Sequence, residues 1–199
     1  MGLLAFSLLF TAGGAVIGRT LGPASMILSI VGSIGCLIAL YFTRAKPGLN
    51  LGLFYAFSVF EGMLLGLIVE SYFARGQGGV VRNAAFTTGG LVALLGAYAW
   101  TTKRDLSGLG TYLGAALLAV IVASIVGIFF QAPLFQLLLA AATAVIFSGF
   151  VLYDIQRLRY AEASGQANAV WLAISIYLDI FNLFLAILRL FGFLSSSDD

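Results

Sequence analysis

Three carboxylates, Glu61, Asp154 and Asp179, stand in stretches of sequence that are otherwise apolar. A charge at the centre of a membrane helix costs about 2.5–3.5 kcal/mol on the insertion scale. Such residues therefore need a reason, either proton and cation chemistry or a hydrogen bond to a neighbouring helix. Asp179 is the clearest of them. Ser175, Asp179, Asn182, Ala186 and Arg189 recur at spacings of four, three, four and three, so on a helix they share one face. The other faces carry Ile176, Leu178, Phe181, Phe184 and Leu185. A polar stripe on a lipid-like helix faces protein or water, as a pathway or as a buried polar ladder. Glu61, in the run Phe60-Glu61-Gly62, reads equally as a pathway residue and as a helix-to-helix bond. Asp154 closes the run Phe150-Val151-Leu152-Tyr153-Asp154 and alone could be an interfacial carboxylate. Arg44, after Phe42-Thr43, reads first as a topology anchor.

The sequence contains no histidine. That removes the usual catalytic base, the commonest metal ligand and the usual switch near neutral pH. Proton chemistry must then use carboxylates, Tyr, Lys or the single thiol, Cys36, and a serine–histidine hydrolase is excluded. Two membrane aspartates would also suit an intramembrane aspartyl protease. Asp179, however, follows Ile176-Tyr177-Leu178, where such an enzyme carries a Gly-x-Gly run. No enzymatic activity and no cofactor are expected.

The elements that must position these residues are membrane spans. Hydrophobic residues make up 61% of the 199 and charged residues 9%, with a mean hydropathy of +1.07. A soluble domain carries about 25% charged residues, so most of this surface has to be solvated by lipid. Apolar stretches long enough to cross the hydrocarbon core occupy residues 2–21, 24–43, 49–72, 83–101, 108–130, 134–153 and 169–191. The expectation is an all-α membrane protein of about seven transmembrane helices, forming one domain over residues 1–199. Span one lacks a charged leader and a cleavage site, so it reads as a helix, not a signal peptide. Gly22-Pro23, Lys46-Pro47-Gly48, Gly76-Gln77-Gly78-Gly79 and Gln131-Ala132-Pro133 supply turns. Only the sixth loop, residues 155–168, reads as long and polar.

Arg44, Lys46, Lys103, Arg104, Arg157 and Arg159 fall on one side of these spans, and Arg19, Arg75, Arg82 and Arg189 on the other. The positive-inside rule then predicts a cytoplasmic N-terminus and a C-terminus on the opposite face. In a prokaryote the membrane would be the inner one. The net charge of +2 and the lack of any basic run argue against a nucleic-acid partner; protein partners are not legible. Gly14/Gly18, Gly62/Gly66 and Gly110/Gly114 have the spacing that lets helix backbones approach.

The run Ser175-Ile176-Tyr177-Leu178-Asp179-Ile180-Phe181-Asn182-Leu183-Phe184, with Leu188-Arg189, Leu152-Tyr153-Asp154 and Thr102-Lys103-Arg104-Asp105-Leu106-Ser107, resembles the transmembrane Bax inhibitor motif family. The likeness covers essentially the whole chain and is strongest to bacterial members described as pH-sensitive calcium-leak channels. It implies two three-helix layers around a central C-terminal helix. It also implies that Asp154 and Asp179 form a di-aspartyl pH sensor, with Arg44 as a latch and both aspartates as possible Ca²⁺ contacts. Glu61, Ser175, Asn182 and Arg189 would then be pathway or stripe residues.

Physical chemistry makes that mechanism reasonable. Two carboxylates in a poorly solvated site do not both ionise cheaply, so they hold a proton between them. Losing it adds charge that a guanidinium or Ca²⁺, an oxygen-seeking ion, would answer. The function expected is a passive, pH-sensitive leak of Ca²⁺, with a cation/proton exchanger or a non-transporting regulator of cell-death or stress pathways as alternatives. Spacing does not supply the pairing. With span six ending at Tyr153, Asp154 sits about 5 Å from its membrane edge, against about 15 Å for Asp179 at the helical rise.

Overall fold

The computed structural model describes residues 2–43, 46–130, 132–164 and 169–196. They form seven helices with no strand among them: α1 (Gly2–Leu21), α2 (Ala24–Phe42), α3 (Pro47–Ala74), α4 (Gly78–Thr101), α5 (Leu109–Phe129), α6 (Pro133–Ser164) and α7 (Ala169–Ser196). All seven are long and apolar enough to cross a membrane. Lipid offers no hydrogen bonds, so each backbone must satisfy itself, and helices do so within one segment. The hydroxyls inside the bundle follow the same rule. Thr11, Ser29, Ser58 and Thr88 donate to the carbonyls of Ser7, Ser25, Phe54 and Ala84, four residues back in each case. Each of these hydroxyls thereby has a partner within its own helix.

Two turns depend on glycine. Gly22 (φ 62°) and Gly76 (φ 74°) adopt the left-handed conformation that side chains disfavour, and each follows the end of a helix, α1 and α3 respectively.

The chain divides into two compact units. The first comprises residues 1–78 with 169–174, and the second residues 79–168 with 175–199. In the first, α1 and α3 meet through their small residues. A Cβ on Gly14 or Gly18 would run into the backbone of Val59 or Met63, and one on Gly62 or Gly66 into that of Thr11 or Ala15. The two GxxxG pairs are therefore each other's partners. The neighbouring ends of these helices carry an ion pair, Arg19 Nε to Glu70 Oε2 at 2.7 Å. In the second unit Gly110 and Gly149 let α5 and α6 interlock, against the Tyr153 ring and Leu113 respectively. The expected pair at Gly110/Gly114 does not operate as a pair, because Gly114 has open space beyond it.

The last helix differs from the rest. Of its apolar window 56% is buried, against 6% for α5, which turns Ile121, Val122 and Ile125 outward. α7 is an interior helix, whereas α5 is clothed in lipid.

The largest departure from the sequence-based spans is α6. The polar run after Tyr153 continues as helix to Ser164, so most of the loop expected over residues 155–168 is helical, and residues 165–168 lie outside the described residues. Gln, Arg, Leu, Glu and Ala are good helix formers, and polarity there marks where a helix leaves hydrocarbon, not where it ends. The α3 and α4 spans also extend beyond the expected 49–72 and 83–101, for the same reason.

Because the α1–α3 contact is backbone against backbone, Gly62→Val should lower thermal stability in detergent by about 1–3 kcal/mol, the usual cost of overpacking. Gly114→Ala should leave the melting temperature unchanged or slightly raised. Equal melting of Gly62→Val and the wild type would refute the close approach.

Candidate functional site

The site is assembled in the second unit from α6 and α7. Asp154 lies ten residues before the end of α6 at Ser164, and Asp179 lies ten residues after the start of α7 at Ala169. Ten residues of helix rise about 15 Å, so each aspartate lies that far inside its own helix. The depth mismatch of the sequence reading came entirely from ending span six too early.

Asp154 and Asp179 are each only 5% exposed. Their side chains face one another closely enough to interact directly, and Ser175, one turn before Asp179, lies beside Asp154. Two carboxyl groups can bond directly only when one of them supplies an O–H. Asp179 Oδ2 is buried and makes no hydrogen bond among the described residues. An acceptor left bare in an apolar interior is costly. The cost is smallest while that carboxyl is neutral.

One cation accompanies the pair. Arg157, one turn beyond Asp154, places Nη1 3.8 Å from Asp154 Oδ1, with its own side chain 56% exposed. At that length and exposure the attraction is worth at most about 1 kcal/mol; it biases the pair without neutralising it. The sequence reading used Arg157 only for topology, although its i,i+3 spacing from Asp154 is visible once the helix is known to continue. Arg44, the expected latch, lies outside the described residues.

Gln156 was not singled out at all, yet it is 2% exposed and fixes the site's surroundings. Its Nε2 donates to Arg104 O at 2.8 Å and its Oε1 accepts from Leu106 N at 2.8 Å. Arg159 Nη1 donates to Trp100 O at 2.6 Å and Thr102 O at 3.1 Å. The α4–α5 connection is thereby strapped to α6 within two turns of Asp154. Within this connection the Ser107 N–H donates to Asp105 Oδ1 at 2.9 Å and holds that carboxyl below the usual carboxylate range. Asp105, Ser107, Tyr153, Gln156, Arg157 and Tyr160 line a cavity of about 440 Å³ beside the buried pair.

The remaining candidates have surroundings of their own. Glu61 belongs to the first unit, half-buried, where its carboxylate accepts from the Ser33 hydroxyl of α2. Asn182 turns back on its own helix, Nδ2 donating to Leu178 O at 2.8 Å. Arg189 is exposed and lines a separate groove of the second unit. The polar stripe of α7 is thus divided, and only Ser175 and Asp179 face Asp154. Among the described residues no cluster of three or more His, Cys, Asp or Glu side chains could hold a metal ion.

The comparison with known proteins bears on the chain as a whole. The model of the family described as "Inhibitor of apoptosis-promoting Bax1" matches residues 1–196. The chain belongs to this Bax inhibitor family. Relatives include the Escherichia coli (strain K12) "Modulator of FtsH protease YccA", 32% identical over 195 residues, covering 97% of this chain and 87% of that protein. A Helicobacter pylori (strain J99) protein is 34% identical over 195 residues, covering 96% and 84%. The vaccinia virus (strain Lister) "Golgi anti-apoptotic protein" is 37% identical over 168 residues, covering 84% and 68%. YccA is also described, in another E. coli strain, as an inner membrane protein. Like these family members, the chain is a multi-pass membrane protein.

Gln156→Leu keeps the bulk of the side chain and deletes both straps to the α4–α5 connection. It should cost about 1–3 kcal/mol, since Leu106 N–H and Arg104 C=O lose their partners. Limited trypsin digestion should cut faster at Lys103 and Arg104 in the variant, and an unchanged cleavage rate would contradict the strap.

Proposed function

We propose that this Bax inhibitor family member is a pH-sensitive calcium (cation) leak channel whose gate is the Asp154–Asp179 pair. The observation that carries the proposal is the close approach of two buried carboxyls on α6 and α7, with one acceptor of Asp179 unsatisfied. With its shared proton the pair clamps α6 to α7. When the proton leaves, two negative charges face each other in an apolar setting, and the O–H that joined them is gone. Mutual repulsion and the demand for new partners then favour a different α6–α7 contact, a local charge change biasing a bistable packing. The 440 Å³ cavity is lined by Arg157, whose guanidinium also reaches Asp154, so a proton or ion arriving there meets the cation beside the pair.

Ca²⁺ is the cargo in this reading. Two carboxylates and a serine hydroxyl fall well short of the roughly six to eight oxygens of a resident calcium site, which suits an ion that must enter and leave. The orientation proposed with it puts the N-terminus in the cytoplasm and the Asp154 end of α6 toward that side. Arg44, Glu61, Asn182 and Arg189 remain candidates for latch or pathway, subordinate to the pair.

Liposomes holding the purified protein should release or admit Ca²⁺ with a pH-dependent rate. Asp179→Asn and Asp154→Asn should each flatten that dependence, because an amide cannot titrate. Vesicles that leak no faster than protein-free ones would end the channel reading. A flux that requires an opposing proton gradient would make the protein an exchanger instead. Cleavage of a transmembrane peptide, abolished by Asp154→Asn, would convert the pair into a protease dyad.

Arg157→Gln removes the cation that stands beside the pair among the described residues and leaves the carboxyls intact. The flux profile should move toward alkaline pH without losing its shape, since a proton is held more firmly where a positive neighbour has been deleted. A profile that does not move would remove Arg157 from the mechanism.

A second reading follows from the name of the E. coli relative, a modulator of the FtsH protease. Here the chain would act as a non-transporting regulator of a membrane-associated protease. A protease co-purifying in stoichiometric amount, together with a Ca²⁺ flux indifferent to both aspartate variants, would favour it.

A further inference from the structure

Within the second unit, the end remote from the aspartate pair holds a groove of about 820 Å³ between α5, α6 and α7. Gly127 and Ile128 of the last turn of α5, and Pro133 and Gln136 of the first turn of α6, contribute to its wall, which sets it at the level where these helices meet the membrane surface. The wall is otherwise apolar, with Ile121, Ile125, Leu139 and Phe193. Three side chains break the pattern, and one of them, Ser124, donates its hydroxyl to Val120 O of its own helix. Gln136 spends one amide N–H on Gly127 O at 3.0 Å and has a second N–H to give. Arg189, exposed, forms no ion pair or hydrogen bond among the described residues, and no acidic residue lines the groove.

An unmatched guanidinium against isoleucines at the edge of hydrocarbon is expensive unless a counter-charge is supplied. The negative charge present at this depth in every bilayer is the lipid phosphate, which a planar guanidinium binds with paired hydrogen bonds. A groove of this size lies within the range of about 300–1,000 Å³ that small-molecule sites occupy. Its division into one cationic corner and a long apolar wall matches a headgroup and a chain.

We propose that this groove is a binding site for one anionic phospholipid, its phosphate on Arg189 and Gln136 and an acyl chain along Ile121, Ile125 and Leu139. The lipid completes the packing of α5, which has few protein neighbours of its own, and ties it to α6 and α7.

Native mass spectrometry of the full chain, delipidated in detergent and titrated with phosphatidylglycerol, tests the site. The wild type should retain one lipid saturably. Arg189→Gln should weaken retention about tenfold or more, as expected for a lost charge-assisted bond, while Arg189→Lys keeps most of it. Leu139→Trp should expel the lipid by filling the wall, with the helical content unchanged by circular dichroism. Should Arg189→Gln fail to fold, Arg189→Lys and Leu139→Trp still decide the matter. Equal retention by wild type and Leu139→Trp would overturn the proposal, as would unsaturable uptake, the mark of annular lipid. Displacement of the lipid by millimolar inorganic phosphate would also overturn it, showing a site for a soluble anion.

Discussion

The meeting of Asp154 and Asp179 constrains the second unit because two buried carboxyls need partners at their own depth. An apolar side chain at either position would pack without needing a particular neighbour. A carboxyl must find a partner at its own depth, and this demand fixes the register of α6 against α7. The register in turn requires α6 to run on past Asp154 as helix, which carries Gln156 and Arg159 to the α4–α5 connection. The strap on that connection is therefore a consequence of where the aspartates meet. Burial of α7 follows from the same demand, since a helix bearing a carboxyl at mid-depth is tolerable only inside.

The first unit is built on a different principle. Its α1–α3 contact has no charge at its heart; it rests on four glycines that bring backbone to backbone, with hydroxyls satisfied by their own helices. Dispersion between close-packed backbones does the holding where no hydrophobic effect operates between helices. Such an interface has one tight geometry. The second unit combines a titratable bond, a water-accessible cavity beside it and a lipid-facing α5. If one part of the molecule changes shape with pH, the physical means lie there.

Membership of the Bax inhibitor family agrees with this division without explaining it. The segment 102–107, which belongs to the family likeness, turns out to be the strapped α4–α5 connection. Its Asp105 and Ser107 stabilise the turn locally, and its main chain, not its charged side chains, meets Gln156. The Leu152-Tyr153-Asp154 run likewise has a packing logic. Tyr153 lies against Gly110 on α5, while Asp154 turns toward α7.

Composition and hydropathy alone determined the membrane environment, the seven helices and the identity of the carboxylates, because the cost of charge in lipid is a property of each residue and needs no tertiary information. The 3.6-residue period likewise put Ser175 and Asp179 on one face. Hydropathy could not see that α6 outlasts its apolar segment. Nothing in that scale separates a helix emerging from the membrane from a loop, so Asp154 was placed at a helix end when it lies ten residues inside. Nor could the period divide the stripe of α7, where Asn182 satisfies itself and Arg189 belongs to another groove. Which glycine pairs touch, which cation stands beside the carboxyls and which glutamine straps the loop were all decided by distances between helices. Those distances are set by how every helix packs at once, and no local spacing encodes them.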